Sequence, residues 1–501
     1  MLNITSHTPG IQVLLRKNVG RSTVDGTTPV SSVWAGQSPV VDLTPYLSDS
    51  LPVRVRKSVH EDAGAFSFQI ADQIDKDVLD TLYSVIEPMD VIEIRMAHDA
   101  YVYAGLDLPI MMRGFVSSVR RTQAMGHEGK PKRIVSVSGH DYGKILQRYQ
   151  VFYLPSVPGD AMAMITSFPF FTKFGDFANV KEAGAFVQAV VDQVINPYLS
   201  AMISTSPNVA AVKTLSTDIQ VSGGVVSPYG FGTFTQGTLL QLFRQNCDVG
   251  SWNELFIEDR ADGPYLVYRP NPALDIVSGV WLMQGAAVSG ASAPSVIEID
   301  DTDVLFYDVG RSDANVANVF WVDSHRYALN YDFTTKALAS VAPSVSATAP
   351  VAETSYGNVN PALYGWSKLE EITNQGHLDE TDNGNGTAAG ASRNSNNGYG
   401  IDWLNTRRAQ LYAQNKDNVI FESGSMRVKG NEQIRAGLYV AYTHGNLRSL
   451  HYAEAVDHEF IPFGNYFTSI SFARGTGFSD RIKQNDQMQS PYYAENVVVN
   501  P

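Results

Sequence analysis

The sequence predicts an α+β protein that is mainly β, with two similar β regions and helical and α+β insertions between them. Three observations predict this class. Near the C-terminal end, apolar and polar residues alternate over 438–442, 452–460 and 466–472, each run bounded by Gly, Asn or Pro. Residues two apart share a strand face, so this pattern describes antiparallel strands with one buried side. A cruder version of the same series occupies the first third of the chain, and between the two the apolar residues move to helical spacing.

In chain order, 10–15, 40–43 and 53–55 read as short strands separated by Thr, Ser, Pro and Gly. Phe66, Phe68 and Ile70 alternate with Ser67 and Gln69, a half-buried strand. Over 77–86, Val78, Leu79, Leu82 and Ile86 fall at helical spacing, with Asp75 or Asp77 as cap and Pro88 as stop. Strands at 91–96, 110–119 and 133–138 follow and end at the turn Gly139-His140-Asp141-Tyr142-Gly143. Residues 1–150 therefore read as a first β-barrel or sandwich with one short helix on its flank. The later series repeats it: 66–70 matches 425–429, 88–96 matches 434–442, 112–119 matches 452–459, and 133–139 matches 468–475. Strand order and spacing agree although residue identity is poor, which points to two domains of one kind.

Residues 151–236 are predicted as a helical peripheral domain. Phe186, Val187, Val190, Val191, Val194, Ile195 and Tyr198 make an apolar stripe, with Gln188, Asp192 and Asn196 opposite. At ~1.5–3 kcal/mol per large side chain the stripe is worth on the order of ten kcal/mol gross, so this helix has to dock. A Ser/Gly-rich stretch at 222–237 leads to a small α+β module over 237–295, with a helix at 239–247 and strands 254–258 and 265–269 joined at Ala261-Asp262-Gly263-Pro264. Residues 296–475 are predicted as the second β domain, containing strands 296–307 and 316–323, a loop-rich excursion at 337–400 and a helix at 403–414 before the closing strands. The composition of the excursion cannot bury enough surface to offset its ordering cost, and 476–501 reads as a polar tail.

At 501 residues with 44% apolar content, the chain is globular and exceeds a single core. A single cysteine, Cys247, leaves no internal disulfide framework and reads as a core thiol, which fits folding in a reducing cytoplasm. The start of the chain lacks a basic region before a long apolar core, and no run reaches ~18 apolar residues, so neither a signal peptide for the general secretory route nor a membrane span is expected. The net charge is −14 with acidic residues spread throughout, and the basic groups at 54–57 and 130–133 are short and separated. That distribution argues against sequence-specific DNA binding, while an acidic surface suits DNA that must slide past.

The residue types that carry chemistry do not assemble into a site. His140-Asp141 closes a strand at a glycine turn, where an exposed polar pair is expected. His458-Glu459 and His60-Glu61 lack the second histidine of a zinc helix. Asp300, Asp301 and Asp303 lack the Gly and terminal Glu of a calcium loop and read as a solvated strand end. Facing carboxylates for glycoside hydrolysis are not legible from spacing. No nucleophile elbow, Walker loop or dinucleotide fingerprint is present. No catalytic, cofactor-binding or metal residue is assigned, and the expectation is a protein that is not an enzyme.

The order of a β domain ending in RIVSVSGHDYGKIL, a helical segment, the helix-hairpin TLLQLFRQNCDVGSWNELFIEDRADGPYLVYRP, and a last β domain with MRVKGNEQIRAGLYV and GNYFTSISFARG resembles the baseplate hub proteins of tailed bacteriophages. That group is related to the late control protein of temperate contractile phages. The match is strongest at Gly430, Ile434, Gly437, Gly464, Tyr466, Thr468, Arg474 and Gly475, and weakest at 150–222 and 337–400. The resemblance implies two tube-like β-barrels per chain and a homotrimer whose six similar barrels adapt a sixfold tail tube to a threefold central spike. It implies a neutral-to-acidic channel for DNA during genome ejection, with tail tube, spike and other baseplate proteins as partners. The location it implies is the tail baseplate of the virion, after synthesis in the host cytoplasm. A cell-wall-degrading tail enzyme and a glycan-binding adhesin are the alternatives.

Overall fold

The computed structural model describes residues 8–19, 21–22, 29–30, 40–49, 51–73, 81–125, 129, 131–152, 181–205, 211–221, 223–226, 236–284, 291–324, 329–332, 337–340, 346–347, 351–352, 356–376, 391–444 and 447–484. The fold is mainly β and is built on one 13-stranded sheet. Its first half uses β1 (Gly10–Arg16), β2 (Val40–Asp42), β3 (Val53–Ser58), β4 (Ala65–Ala71), β5 (Val91–Ala97), β6 (Ile110–Met125) and β7 (Pro131–Asp141). An insertion contributes β8 (Ser216–Ile219), β9 (Asn253–Asp259) and β10 (Pro264–Pro270) to a sheet of its own. The second half of the main sheet uses β11 (Val296–Asp300) and β12 (Val304–Gly310), then, after β13 (Val319–Ser324) and β14 (Lys368–Thr373), β15 (Glu422–Lys429), β16 (Tyr439–His444), β17 (Leu447–Phe460) and β18 (Tyr466–Gly475).

Hydrogen bonding runs in the order β12-β15-β18-β17-β3-β4-β7-β6-β5-β1-β2, with β16 beside β17 and β11 beside β16. The sequence predicts barrels; the described strands instead form an open sheet. The reason is local: β3 gives one edge to β4 and the other to the distal part of β17, so pairing continues from one half into the other.

Within each half the strand order is the same. β3-β4-β7-β6-β5-β1 in the first corresponds to β12-β15-β18-β17-β16-β11 in the second. Both long hairpins carry a bulge, between Val116 and Ser118 in β6 and between Ala453 and Ala455 in β17. Aligning the bulges sets Val116 against Ala453, Gly139 against Phe472, Phe66 against Gly424 and Val91 against Tyr439. The pairing expected from sequence has the right strands and slips by one to three residues. A period-two pattern matches itself after every shift of two, and the bulge permits odd shifts. One pairing differs: β1 is antiparallel to β5, whereas β11 is parallel to β16.

The insertion packs as expected for its stripe. Helix Ala183–Val190 continues through a π-helical turn, Val191–Ile195, into Asn196–Thr205, and Phe186, Val187, Val190, Val191, Val194 and Ile195 are buried. Tyr198 departs from the stripe, being 38% exposed with its ring edge on Tyr149. The same core holds Leu242, Phe243 and Tyr268 from the α+β module and Phe115 and Tyr142 from the first sheet half. Strand β8 pairs parallel with β10, across the boundary expected at 236. Helix Leu239–Asn246 opens on a capping box formed by Thr238 and Gln241.

Part of the 337–400 excursion is regular structure. Strand β14 lies parallel to β13, and the helix expected at 403–414 spans Ala391–Asn415. Arg407 docks this helix, with its guanidinium 5.3 Å from the Trp252 ring centre, 4.4 Å from that of Trp403 and 3.2 Å from Asp248. Of the helix expected at 77–86, Leu82–Val85 is helical, and 74–80 lies outside the described residues.

Candidate functional site

Charged side chains gather where the two sheet halves meet. In β17, residues 447–452 pair with β16 and residues 455–460 pair with β3, so one strand serves both halves. Glu459 accepts from Arg54 of β3 and Arg427 of β15, each at 2.8 Å. Exposed pairs of this kind contribute ~1 kcal/mol or less and set register more than stability. Apolar packing crosses the same line: Phe460 and Tyr466 belong to the core that holds Val55, Phe66 and Ile70.

The β9–β10 hairpin is wedged against both halves. Lys57 of β3 places its Nζ 2.6 Å from Asp141 and 2.7 Å from Asp259, and both carboxylates are buried. Burial disfavours the ammonium, but the two carboxylates outweigh it and hold the Lys57 pKa above the ordinary lysine value. Arg113 donates to the carbonyls of Arg260 at 2.7 Å and Ala261 at 3.0 Å, and Arg435 donates to those of Asp259 at 2.6 Å and Ile110 at 3.0 Å. On the other flank, Arg269 donates to the Gly437 carbonyl at 2.6 Å and to Glu254 at 3.1 Å, while the Tyr452 hydroxyl donates to Glu254. Hydrogen bonds to charged groups are worth ~1.5–3 kcal/mol each. The crevice at this junction, lined by Lys57, Asp259, Arg435 and His458 among others, has a volume of about 30 Å³. One water needs about 10–15 Å³ on that measure, so the crevice is of the size that one or two waters fill. This junction fastens parts of the chain together.

Two buried histidines lie on β17. His458 sets its Nδ1 2.7 Å from the Tyr466 hydroxyl and its Nε2 3.0 Å from the Ile434 carbonyl. An Nε2–H that donates to the carbonyl and an Nδ1 that accepts from tyrosine fit the neutral ring. Burial, reinforced by Arg435, pushes its pKa down to about 3. Burial, with Arg481 nearby, pushes His451 down to about 3 as well, and its Nε2 lies 3.2 Å from the Tyr307 hydroxyl and 3.1 Å from that of Ser449.

Four of the positions that carry the sequence resemblance, Ile434, Tyr466, Thr468 and Gly475, lie against these rings. Thr468 accepts from the Asn431 amide at 3.0 Å and lies 3.2 Å from His458, and Arg474 donates to the Pro272 carbonyl at 2.8 Å. Gly437 has φ +86°, a left-handed position that favours glycine. Gly430 and Gly475 are needed for close approach: a Cβ at Gly475 would sit 2.6 Å from the His451 Nδ1, and one at Gly430 would overlap the Tyr466 ring. A Gly430→Ala variant is therefore expected to lose about 1–3 kcal/mol in chemical denaturation. Gly357→Ala, with open space around the new methyl, is expected to stay within ~0.5 kcal/mol.

The residues weighed for chemistry are dispersed. The pair expected to be exposed, His140-Asp141, is divided: Asp141 is buried against Lys57, and His140 is half-buried beside the Ser117 hydroxyl at 3.1 Å. Asp301 accepts from Tyr442 at 2.7 Å and lies 3.0 Å from His444, while Asp303 takes Lys429 at 3.0 Å. His60 lies 3.4 Å from Glu454, and Glu61 holds Arg56. Among the described residues there is no group of three or more His, Cys, Asp or Glu side chains able to hold a metal ion. None of their helices is long and apolar enough to cross a membrane. Cys247 is buried, and burial pushes its thiol pKa well above the ordinary value.

No family model and no curated protein matches the sequence. Among solved structures, the tail protein from Neisseria meningitidis MC58 aligns over 94% of this chain and 98% of its own, at 10% identity and a TM-score of 0.45. The 43 kDa tail protein of prophage MuSo2 from Shewanella oneidensis aligns over 93% of this chain and 98% of its own, at 11% identity and a TM-score of 0.42. Prophage tail protein gp18 from Listeria monocytogenes EGD-e aligns over 92% and 94%, at 9% identity and a TM-score of 0.40. These solved structures are phage or prophage tail proteins, and a type VI secretion component from E. coli described as similar to T4 bacteriophage tail proteins gp27 and gp5 also aligns, over 84% of this chain and 72% of its own, at 8% identity and a TM-score of 0.35.

Proposed function

We propose that this chain is a structural baseplate hub protein of a bacteriophage tail, acting without catalysis. Residues 1–150 and 296–475 supply two tube-like domains, with 151–236 and 237–295 as peripheral insertions and 476–501 as a tail. Three copies form a ring of six similar lobes that matches a sixfold tail tube on one side and a threefold spike on the other. DNA passes through its centre along a neutral-to-acidic lining, without sequence-specific contacts. The observation that carries this reading is the same strand order occurring twice in one chain, joined into one sheet at β3 and β17. A symmetry adapter requires just such a duplication.

Electron microscopy of the purified chain is expected to reveal a threefold ring with six inner lobes, and its mass in solution is expected to be three times that of the chain. A monomer at tens of micromolar, or a strongly basic channel, would overturn the reading. Release of saccharides from peptidoglycan by the purified protein would favour a tail enzyme, and specific hits on a glycan array would favour an adhesin.

A further inference from the structure

Lys17 and Asp90 meet inside the first sheet half, away from the junction. Arg16 is opposite Val91 at the end of the β1–β5 ladder, so the next rung brings Lys17 against Asp90. The Lys17 Nζ lies 2.5 Å from the Asp90 Oδ2, and the two side chains are 1% and 0% exposed. Taking both charges out of water is costly, and a neutral amide in their place would not carry that cost. The surroundings hold more than an ion pair needs. Backbone amides surround the carboxyl: Asn18 at 2.9 Å and Val19 at 3.2 Å donate to Oδ1, and Glu87 at 3.0 Å donates to Oδ2. Donors placed this way also suit the negative charge of a tetrahedral intermediate. Lys17 donates to the Val85 carbonyl at 2.7 Å, which fixes its nitrogen beside the carboxyl. A second carboxylate, that of Glu87, lies 3.9 Å from the same nitrogen and is 26% exposed, so it can exchange protons with solvent. The turn that presents Asp90 is strained. Met89 has φ +78°, and it is held there by its amide on the Val116 carbonyl at 2.9 Å and by the Asn18 side chain on its own carbonyl at 3.0 Å. Backbone strain of this kind gathers at sites of chemistry. Burial outweighs the partners of Asp90 and holds its pKa above the ordinary value, which favours the neutral acid that an amine can attack.

We propose that Lys17 and Asp90 join covalently in the folded chain, through an isopeptide bond between the Lys17 Nζ and the Asp90 Cγ. Glu87 takes one proton from the ammonium, and the freed amine attacks the Cγ of the neutral Asp90 carboxyl. The Nζ–Cγ bond forms and one Cγ–O bond breaks. A second proton from the nitrogen leaves with the departing hydroxyl as water, and Glu87 returns its proton to solvent. In sum, an ammonium and a carboxylate become an amide and one water, with no oxidant or other reactant consumed. The bond would span 73 positions of sequence and tie the end of β1 to the start of β5. Lys57 is not a second site of this kind, because Asp141 and Asp259 together hold its nitrogen as the ammonium, which cannot attack.

Mass spectrometry of the purified full chain tests this without any substitution. The intact, denatured protein is expected to weigh one water less than its sequence. Trypsin is expected to release residues 17–21 joined to residues 77–95, because a linked Lys17 no longer permits cleavage after it, and fragment ions are expected to place the link on Asp90. A chain of full sequence mass would overturn the proposal, and so would a missing water located anywhere else. Lys17→Arg keeps a cation and removes the amine, so it is expected to show the full mass of its sequence. Loss of water from that variant would also refute the bond. Should it fail to fold, Glu87→Gln leaves both reacting groups in place and is expected to form the bond several-fold more slowly, followed as the mass of freshly made protein over time. Bond formation at the parental rate would count against the proton transfer to Glu87. None of these readouts depends on how many copies associate, so the hub reading stands or falls separately.

Discussion

Lys57→Met is expected to be among the most destabilising single changes in the chain. The substitution keeps the bulk of the side chain and removes the one cation between Asp141 and Asp259, leaving two buried carboxylates facing each other. Breaking a buried ion pair by removing one partner costs about 3–5 kcal/mol. Thermal unfolding of the affected part is then expected to fall by roughly 6–20 °C, at 2–4 °C per kcal/mol. Adding Asp141→Asn and Asp259→Asn removes the repulsion, while the side-chain carbonyl introduced at position 141 can still accept from the Gly143 amide, as the Asp141 carboxylate does at 2.9 Å. The triple variant should recover most of the loss. Recovery absent, or a single variant as stable as the parent, would show that the cluster does not hold the hairpin to the sheet.

Mild acid is expected to loosen the second half of the sheet. His451 and His458 have folded pKa values lowered to about 3, below the ~6.5 of an unfolded histidine. The unfolded chain therefore takes up protons first as pH falls. The stability that depends on neutral rings is fully present above pH 6.5 and is lost progressively from there down to about pH 3. The slope approaches ~1.4 kcal/mol per pH unit for each ring below pH 6, which gives about 3 kcal/mol for both between pH 6.5 and 5, before most carboxylates titrate. Denaturant midpoints measured across that window should fall steeply in the parent. They should be nearly flat in a His451→Gln, His458→Gln double variant, even if that variant is less stable throughout. An equal slope in both proteins would mean that other groups take up the protons.

These two clusters also mark the limit of what the residues reveal in linear order. Alternation at Phe66, Phe68 and Ile70 and at 452–460 was legible because burial of one strand face leaves a local trace. The 253–270 hairpin was legible for the same reason, helped by Asp262-Gly263-Pro264 at its turn. Asp141 was not: it sits in a glycine turn, and the partner that allows its burial, Lys57, is 84 residues away. His458 gave no signal either, since Tyr466, Thr468 and the Ile434 carbonyl reach it from separate segments. The long helix at Ala391–Asn415 was half hidden because Gly and Asn dominate its first turns. Gly430 and Gly475 stand out in the sequence only as positions of the resemblance, and what they supply is space for an aromatic ring and an imidazole.

The shared strand β17 also sets a timetable. Arg54 and the Glu459 it meets are 405 residues apart. At ~5–20 residues per second, a ribosome needs roughly 20–80 s between making one and making the other. For that interval the first sheet half has its core strands but an unpaired edge at β3. An open edge invites pairing with any other nascent chain, and the run Arg54, Arg56, Lys57 along β3 is the kind of charge that discourages it. Arg54, whose partner Glu459 is made last, would then guard the edge while it waits, whereas Glu61 and Asp141, the partners of Arg56 and Lys57, are made with the first half.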